Sequence, residues 1–326
     1  MSRWRRRGKD DRASGATRLF FCTDLHGSEI CFRKFLSAGK VYDANVVLMG
    51  GDCTGKMVIP IIQANGMYRC SWSGGDVEVS EGDELAELET QIKNNGLYPV
   101  VMSSEEREAL ASNPDRLQAL FHRVMIDTLT GWLKLAEERL GGSEVRVIVT
   151  PGNDDEFAVD DVIEAAGFIE PAEGRVTRIG DRHEMLSLGW SNETPWDTPR
   201  ECSEDELGEK IAALADQIED MENAIFNIHV PPYGTGLDNA PELADATTVR
   251  RGGTMKAVGS TAVRDAILTY QPLLSLHGHI HESRGSQRLG RTLAINPGSS
   301  YSDWSLQGVL VDLEDKSVAR QMPTTG

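Results

Sequence analysis

Nowhere do the 326 residues hold an apolar stretch near the roughly 20 that a bilayer-spanning helix needs. A run such as Val145 to Val149, itself broken by Arg146, has the length of a strand. Arg3, Arg5, Arg6 and Arg7 are not followed by an apolar segment, so no secretory signal is expected. Positive charge is scarce: 33 Lys and Arg stand against 51 Asp and Glu, a formal −18. That balance makes nonspecific binding to nucleic acid or anionic membranes unfavourable, and no basic groove is left for a nuclease. The first 12 residues run the other way, with six basic residues against two acidic ones, and 1–17 is expected to be a disordered basic tail. Contact of that tail with an acidic partner or RNA is the minority reading. Cysteine is sparse and odd in number: Cys22, Cys31, Cys53, Cys70 and Cys202 form no C-x-x-C pair. A disulfide framework is therefore not expected, and the cytoplasm is the simplest compartment. No internal repeat or low-complexity block is visible.

What the sequence does hold is a β-α-β rhythm. Arg18 to Thr23 is β-branched and aromatic enough for a buried strand, and it delivers Asp24-Leu25-His26-Gly27. Ser28 to Ala38 carries Ile30, Phe32, Phe35 and Leu36 at helical spacing, and Asn45 to Met49 is a second strand ending in Gly50-Gly51-Asp52. Glu144 to Thr150 is a third, followed by Pro151-Gly152-Asn153-Asp154-Asp155. This predicts a parallel core. Strands are also expected at 183–190, 224–228, 292–295 and 308–313, with a helix from Ser203 to Asp220 between them. The span 18–326 reads as one domain.

Residues 53–142 break the rhythm and are expected to be an insertion packed beside the site. Met57 to Gln63 and Met67 to Trp72 flank Asn65-Gly66, a hairpin signal. Asp83 to Lys93, a capped helix at Ser103-Ser104-Glu105-Glu106, and a longer helix opened by Pro114 follow.

Chemistry gathers just past the strand-like runs. Leu276-His277-Gly278-His279-Ile280-His281 follows a short apolar run, and His229 follows Ile228. With Asp24, His26, Asp52 and Asn153 these make seven oxygen and nitrogen ligands, enough for two divalent cations if one carboxylate bridges. None is Cys, which suits Mn²⁺, Fe, Zn²⁺ or Ni²⁺ rather than a structural zinc site. Two such cations roughly 3.5–4 Å apart can activate a shared hydroxide and clamp a phosphoryl group. Taken singly, each residue is as well explained as a cap or turn former.

In order, D-x-H, G-D, G-N-x-D, a lone His and G-H-x-H resemble the calcineurin-like metallophosphoesterase superfamily. The resemblance runs from about Phe20 to Ser300, leaving 53–142 outside. It implies an α/β fold of two mixed sheets packed as a sandwich flanked by helices. It also implies that Asp24, His26, Asp52 and His281 hold one metal, that Asp52 bridges, and that Asn153, His229 and His279 hold the second. The implied activity is hydrolysis of a phosphomonoester or phosphodiester, on a small-molecule or nucleotide substrate, with a metal-bridging hydroxide as nucleophile and Mn²⁺ as the first choice of ion. Asn153 and His229 would then serve both metal and catalysis. Oligomeric state is left open, a homo-oligomer being one outcome.

One departure matters. Many members carry a His after the Asn that is thought to protonate the leaving oxygen; here the residue is Asp154. Three outcomes follow: Asp154 is protonated and acts as acid, it contacts metal-bound water, or the enzyme relies on good leaving groups. The latter two are preferred, because an ionised carboxylate is a poor acid near neutral pH. His277 reads as a buried strand-end residue before a substitute donor, and Asp155 as an orienter of its loop. Asn192 and Trp196, in a Pro-containing acidic loop, and Arg250, beside Arg251, are candidates for substrate contact. The rival to hydrolysis is a scaffold that keeps fold and metals without turnover.

Overall fold

The computed structural model describes residues 17–245, 248–249 and 253–326. Residues 1–16 of the expected tail lie outside the described residues. Thr17, assigned to the tail from sequence, instead opens the first strand, because its side chain is buried and its backbone pairs with Leu313.

Two sheets carry the fold. The first joins β1 (Thr17–Cys22), β2 (Val46–Gly50), β7 (Arg146–Thr150) and β8 (Glu170–Pro171) in parallel, with β21 (Gln307–Glu314) and β22 (Ser317–Thr325) added antiparallel on the β1 side. The second joins β10 (His183–Leu188), β13 (Ile225–Ile228), β18 (Leu274–Leu276) and β20 (Thr292–Asn296) in parallel, flanked by antiparallel β9 (Arg175–Ile179) and β19 (Gly285–Leu289). Alternation along each strand assigns the layers. Leu19, Phe21, Leu48 and Ile148 meet Met185, Ile225, Leu274 and Ile295 between the sheets. Phe20, Cys22, Val47 and Val149 point the other way, against α1 (Glu29–Tyr42), α4 (Pro114–Leu140) and α5 (Ala158–Ala165). Leu186, Phe226 and Ile228 pack under α6 (Glu204–Ala215) and α7 (Thr261–Tyr270). The result is the expected helix–sheet–sheet–helix sandwich.

Between β2 and β7 the chain builds a separate sheet in the order β5 (Gly75–Ser80), β4 (Met67–Trp72), β3 (Val58–Ala64), β6 (Tyr98–Met102), with α2 (Asp83–Asn94) and α3 (Ser104–Ala111). The Asn65-Gly66 hairpin forms with both residues at positive φ, 53° and 75°. Strands β5 and β6 carry no strong signal of their own; β6 exists because Tyr98 to Met102 pair in parallel with Val58 to Ile62. Ile59, Ile61, Tyr68, Leu88 and Ile92 give this unit its own small core. Helix α4 ties it down: Trp132 stacks on Phe32 of α1, centroids 4.3 Å apart and planes 9° from parallel. The Ser203 helix ends at Ala215, five residues short of Asp220, because Gln217 and Ile218 turn back onto Leu214 and Ala215. Short pairs complete the chain, among them β11 (Ser191–Asn192) with β12 (Glu201–Cys202) and β14 (Asn239–Pro241) with β17 (Met255–Ala257). Among the described residues no helix is long and apolar enough to cross a membrane.

Candidate functional site

Five parallel strands, three from one sheet and two from the other, end at the same edge of the sandwich. β1 releases Asp24 and His26, β2 Asp52, β7 Asn153, β13 His229 and β18 His279 and His281. Open α/β sheets place ligands in such crevices. The loops are tightly wound. Asp24, His26, Asp52 and His279 all adopt left-handed backbone, with φ of 55°, 43°, 48° and 66°. Non-glycine residues there carry a conformational cost that surrounding contacts must offset. Those contacts are present: Asp24 N–H donates to Gly51 O (3.0 Å), His26 N–H to Asp52 O (2.9 Å) and His279 N–H to Asp24 Oδ2 (3.0 Å). Glycine is required where the loops touch. A Cβ on Gly152 would stand 2.2 Å from Asp52 Oδ1, and one on Gly278 2.4 Å from Asp24 Oδ2.

The side chains converge in three overlapping groups. Asp24, His26 and His281 bring one ligand atom each within 4.8 Å of one another, so do Asp52, His229 and His279, and so do His26, Asp52 and Asp154. His26 Nε2 lies 3.1 Å from His281 Nε2, and His281 Nε2 lies 3.4 Å from Asp24 Oδ1. Asp52 Oδ2 joins the groups, 3.6 Å from His26 Nε2 and 3.3 Å from His229 Nε2. Asn153 Oδ1 sits 2.8 Å from His279 Nδ1, while its amide nitrogen donates to Thr198 Oγ1 at 2.8 Å. Thr198 in turn donates to Glu201 Oε1 at 2.6 Å, which fixes the amide with its oxygen toward the imidazoles.

The cluster fits a cation on its own geometry. His229 Nδ1 lies 3.1 Å from Gly50 O and donates to it, which leaves the lone pair of Nε2 facing two carboxylates. That Nε2 is buried with no hydrogen-bond partner. A lone pair aimed at carboxylate oxygens is repulsive unless a positive charge lies between. The acidities tell the same story. Burial would lower the basicity of His229, but Asp52, with Asp24 behind it, raises it to about 10. A field that holds a proton so firmly also favours a divalent cation. Burial pushes Asp52 up to about 6, against the pull of His229. Burial also disfavours ionised Asp24, but His281, His229 and His26 hold its carboxyl well below the usual carboxylate range. Burial and the neighbouring His229 lower His279 to about 3, so it presents a neutral ring. Neutral imidazole, carboxylate and amide oxygen are ligands for Mn²⁺, Fe or Zn²⁺.

The remaining expected residues fall into place differently. His277 is fully buried: Nδ1 lies 2.8 Å from Ile228 O and Nε2 2.7 Å from Ser275 Oγ, so it braces the strand ends. Asp155 accepts from Gly152 N–H, Cys53 N–H and the N–H and hydroxyl of Thr54, which locks two ligand loops together. Cys53 is buried beneath them. Asp154 holds an ion pair with Lys56 and lies 3.8 Å from His26 Nδ1. Asn192 and Trp196 line the cavity over the cluster, about 870 Å³, together with Tyr233, Pro241, Val258 and Ile280. Arg250 and Arg251 lie outside the described residues.

Sequence reading missed Lys56, Thr198, Glu201 and Arg200. Arg200 is fully buried, with Nε donating to Asp155 O (2.9 Å) and a second nitrogen to Asp160 Oδ2 (3.1 Å). Its guanidinium lies 4.7 Å from the Phe157 ring centre. An arginine in a Pro-rich loop carries no local mark of such burial.

Two mixed sheets under helices carry D-x-H, G-D, G-N-x-D, His and G-H-x-H at adjoining strand ends, the fold and motif order that the resemblance to the calcineurin-like metallophosphoesterases implies. The uncharacterized protein MJ1162 of Methanocaldococcus jannaschii is 30% identical over 174 residues, 52% of this chain and 72% of that protein, which places the two in one family. A solved crystal structure shares the fold over 95% of this chain and 98% of its own, with 15% identity and a TM-score of 0.57. A novel archaeal phosphodiesterase aligns over 95% of this chain and 100% of its own, at 10% identity and a TM-score of 0.40. No protein-family model matches the chain.

Proposed function

We propose that this protein is a metal-dependent phosphoester hydrolase acting on a small-molecule or nucleotide phosphomonoester or phosphodiester. The observation that carries the reading is the pair of ligand groups, Asp24/His26/His281 and Asp52/His229/His279, joined by Asp52 at one edge of the sandwich. In it, Asp24, His26, Asp52 and His281 hold one divalent cation, and Asp52, Asn153, His229 and His279 the second, with Mn²⁺ the first choice. Bound there, such ions would supply Lewis acidity and would lower the pKa of a nucleophilic water.

The chain's own residues do the rest. Asp52 aligns both ligand groups, and His279 accepts its place through the Asn153–Thr198–Glu201 chain. Asn153 and His279 face the cavity with Asp154 beside Asp52, His229 stands behind Asp52 as a buried ligand, and Asn192 and Trp196 are assigned to the alcohol part of the substrate. Since Asp154 is tied to Lys56, we assign it to positioning rather than to proton donation. The reading then expects a preference for esters with good leaving groups. A full ligand set opening into a cavity favours turnover over a binding scaffold. The test is release of p-nitrophenol from mono- and diester substrates by protein loaded with Mn²⁺, with bound metal counted on the same samples. Two ions per chain with turnover supports the reading, whereas ion-free protein, or two ions with no turnover on either ester, overturns it.

A further inference from the structure

Lys56 is the first residue past a segment that cannot move freely. Cys53 N–H and Thr54 N–H each donate to Asp155 at 2.9 Å, and Gly55 N–H donates to Tyr98 Oη at 2.7 Å. A Cβ on Gly55 would lie 2.1 Å from Gly96 O, so the backbone there is pressed against the neighbouring loop. The lysine thus departs from a fixed point. Its ammonium is gripped by Asp154, which is itself held by its N–H on Asp52 Oδ1 at 3.0 Å. An ammonium has three donors, and this ion pair occupies one of them.

The cavity that Lys56 lines is otherwise rich in acid: Asp52, Asp154, Glu193, Glu242 and Glu282 all face it. Such a lining repels a phosphate ester unless fixed cations offset it. The other lysine of the lining, Lys256, is paired with Glu242 at 3.0 Å on the β14/β17 hairpin. Lys56 is paired instead with a residue that touches the ligand cluster, 3.8 Å from His26.

We propose that Lys56 binds the phosphoryl group of the substrate, its free N–H donors taking a non-bridging oxygen while Asp154 acts as its positioning residue. The inference rests on the phosphoester reading and adds two things to it. The segment between β2 and β7 contributes to the site, and the substrate presents an anionic phosphoryl oxygen on the Lys56 side of the cluster.

The experiment measures binding of inorganic phosphate by calorimetry, and its competitive inhibition of p-nitrophenyl ester hydrolysis, on Mn²⁺-loaded protein. Wild type, Lys56→Met, Lys56→Arg and Asp154→Asn are compared, with bound metal and thermal midpoint recorded for each. Lys56→Met is expected to keep its metal and midpoint while binding phosphate at least tenfold more weakly. Lys56→Arg should recover most of that loss, and Asp154→Asn should raise KM more than it lowers kcat. A lysine that merely neutralised Asp154 would shift the midpoint and leave phosphate affinity alone. Phosphate binding by Lys56→Met within twofold of wild type overturns the proposal while leaving hydrolysis by wild type intact. A wild type that holds no Mn²⁺ overturns the hydrolase reading and this inference together.

Discussion

His26 Nε2 and His281 Nε2 face each other across 3.1 Å, from loops 255 residues apart in the chain. The Tyr301 ring packs on both imidazoles, with centroids 4.9 and 5.9 Å away, and so holds them in this face-off. Two ring nitrogens at this distance need a proton or a cation between them, and Asp24 Oδ1 lies close enough to share it.

Replacing His281 or His279 with Ala should remove one bound ion per chain, and Asp52→Asn should weaken both. Each change should lower hydrolysis of bis-p-nitrophenyl phosphate by about a hundredfold or more. Elemental analysis of dialysed protein beside the rate assay checks it; full metal content in Asp52→Asn would contradict it.

Removing metal should also soften the fold. A ligand that binds only the folded chain adds about 2.7 kcal/mol at a hundredfold excess over its Kd. Chelation with EDTA should therefore lower the thermal midpoint, and Mn²⁺ should restore it in proportion to concentration.

Gly152→Ala tests the close approach of two loops. Its Cβ would meet Asp52 Oδ1 at 2.2 Å and Asp52 N at 2.3 Å, so backbone has to shift. The expected cost is about 2 kcal/mol or more in urea denaturation, with loss of metal binding.

Arg200→Ala removes the cation that satisfies Asp155 O, Glu156 O and Asp160. Leaving these groups unpaired should cost about 3 kcal/mol, and Arg200→Lys should recover only part, since it loses the planar fork and the stack on Phe157. Denaturation curves of the two variants decide it.

Glu173 gives a pH signature away from the cluster. Burial raises its carboxyl to about 7, against the pull of Arg200 and the Gly189 N–H, with Asp160 and His229 also in range. Its ordinary value is 4.5, so between pH 4.5 and 7 the folded chain holds a proton that the unfolded chain has released. Stability then falls as pH rises through that window. Glu173→Gln should match wild type near pH 4 and exceed it at pH 8 by about 1–3 kcal/mol, read from thermal midpoints.

Local order in the sequence determined a good deal of this protein. Apolar runs ending in Asp, Asn or His marked the central parallel strands and the residues at their tips, because a buried strand and the turn after it are written in neighbouring positions. Asn65-Gly66, Ser103 and Pro114 marked a hairpin and two helix starts for the same reason. Tertiary structure alone decided what depends on distant partners. Strand β6 exists through its register with β3, and β9 and β22 through the edges they cover. Arg200 is buried because Asp155, Asp160 and Phe157 enclose it, and Lys56 reaches the ligand cluster because Asp155 and Tyr98 pin the loop before it. Such contacts join residues far apart in the chain, and no periodicity or spacing along the chain encodes them.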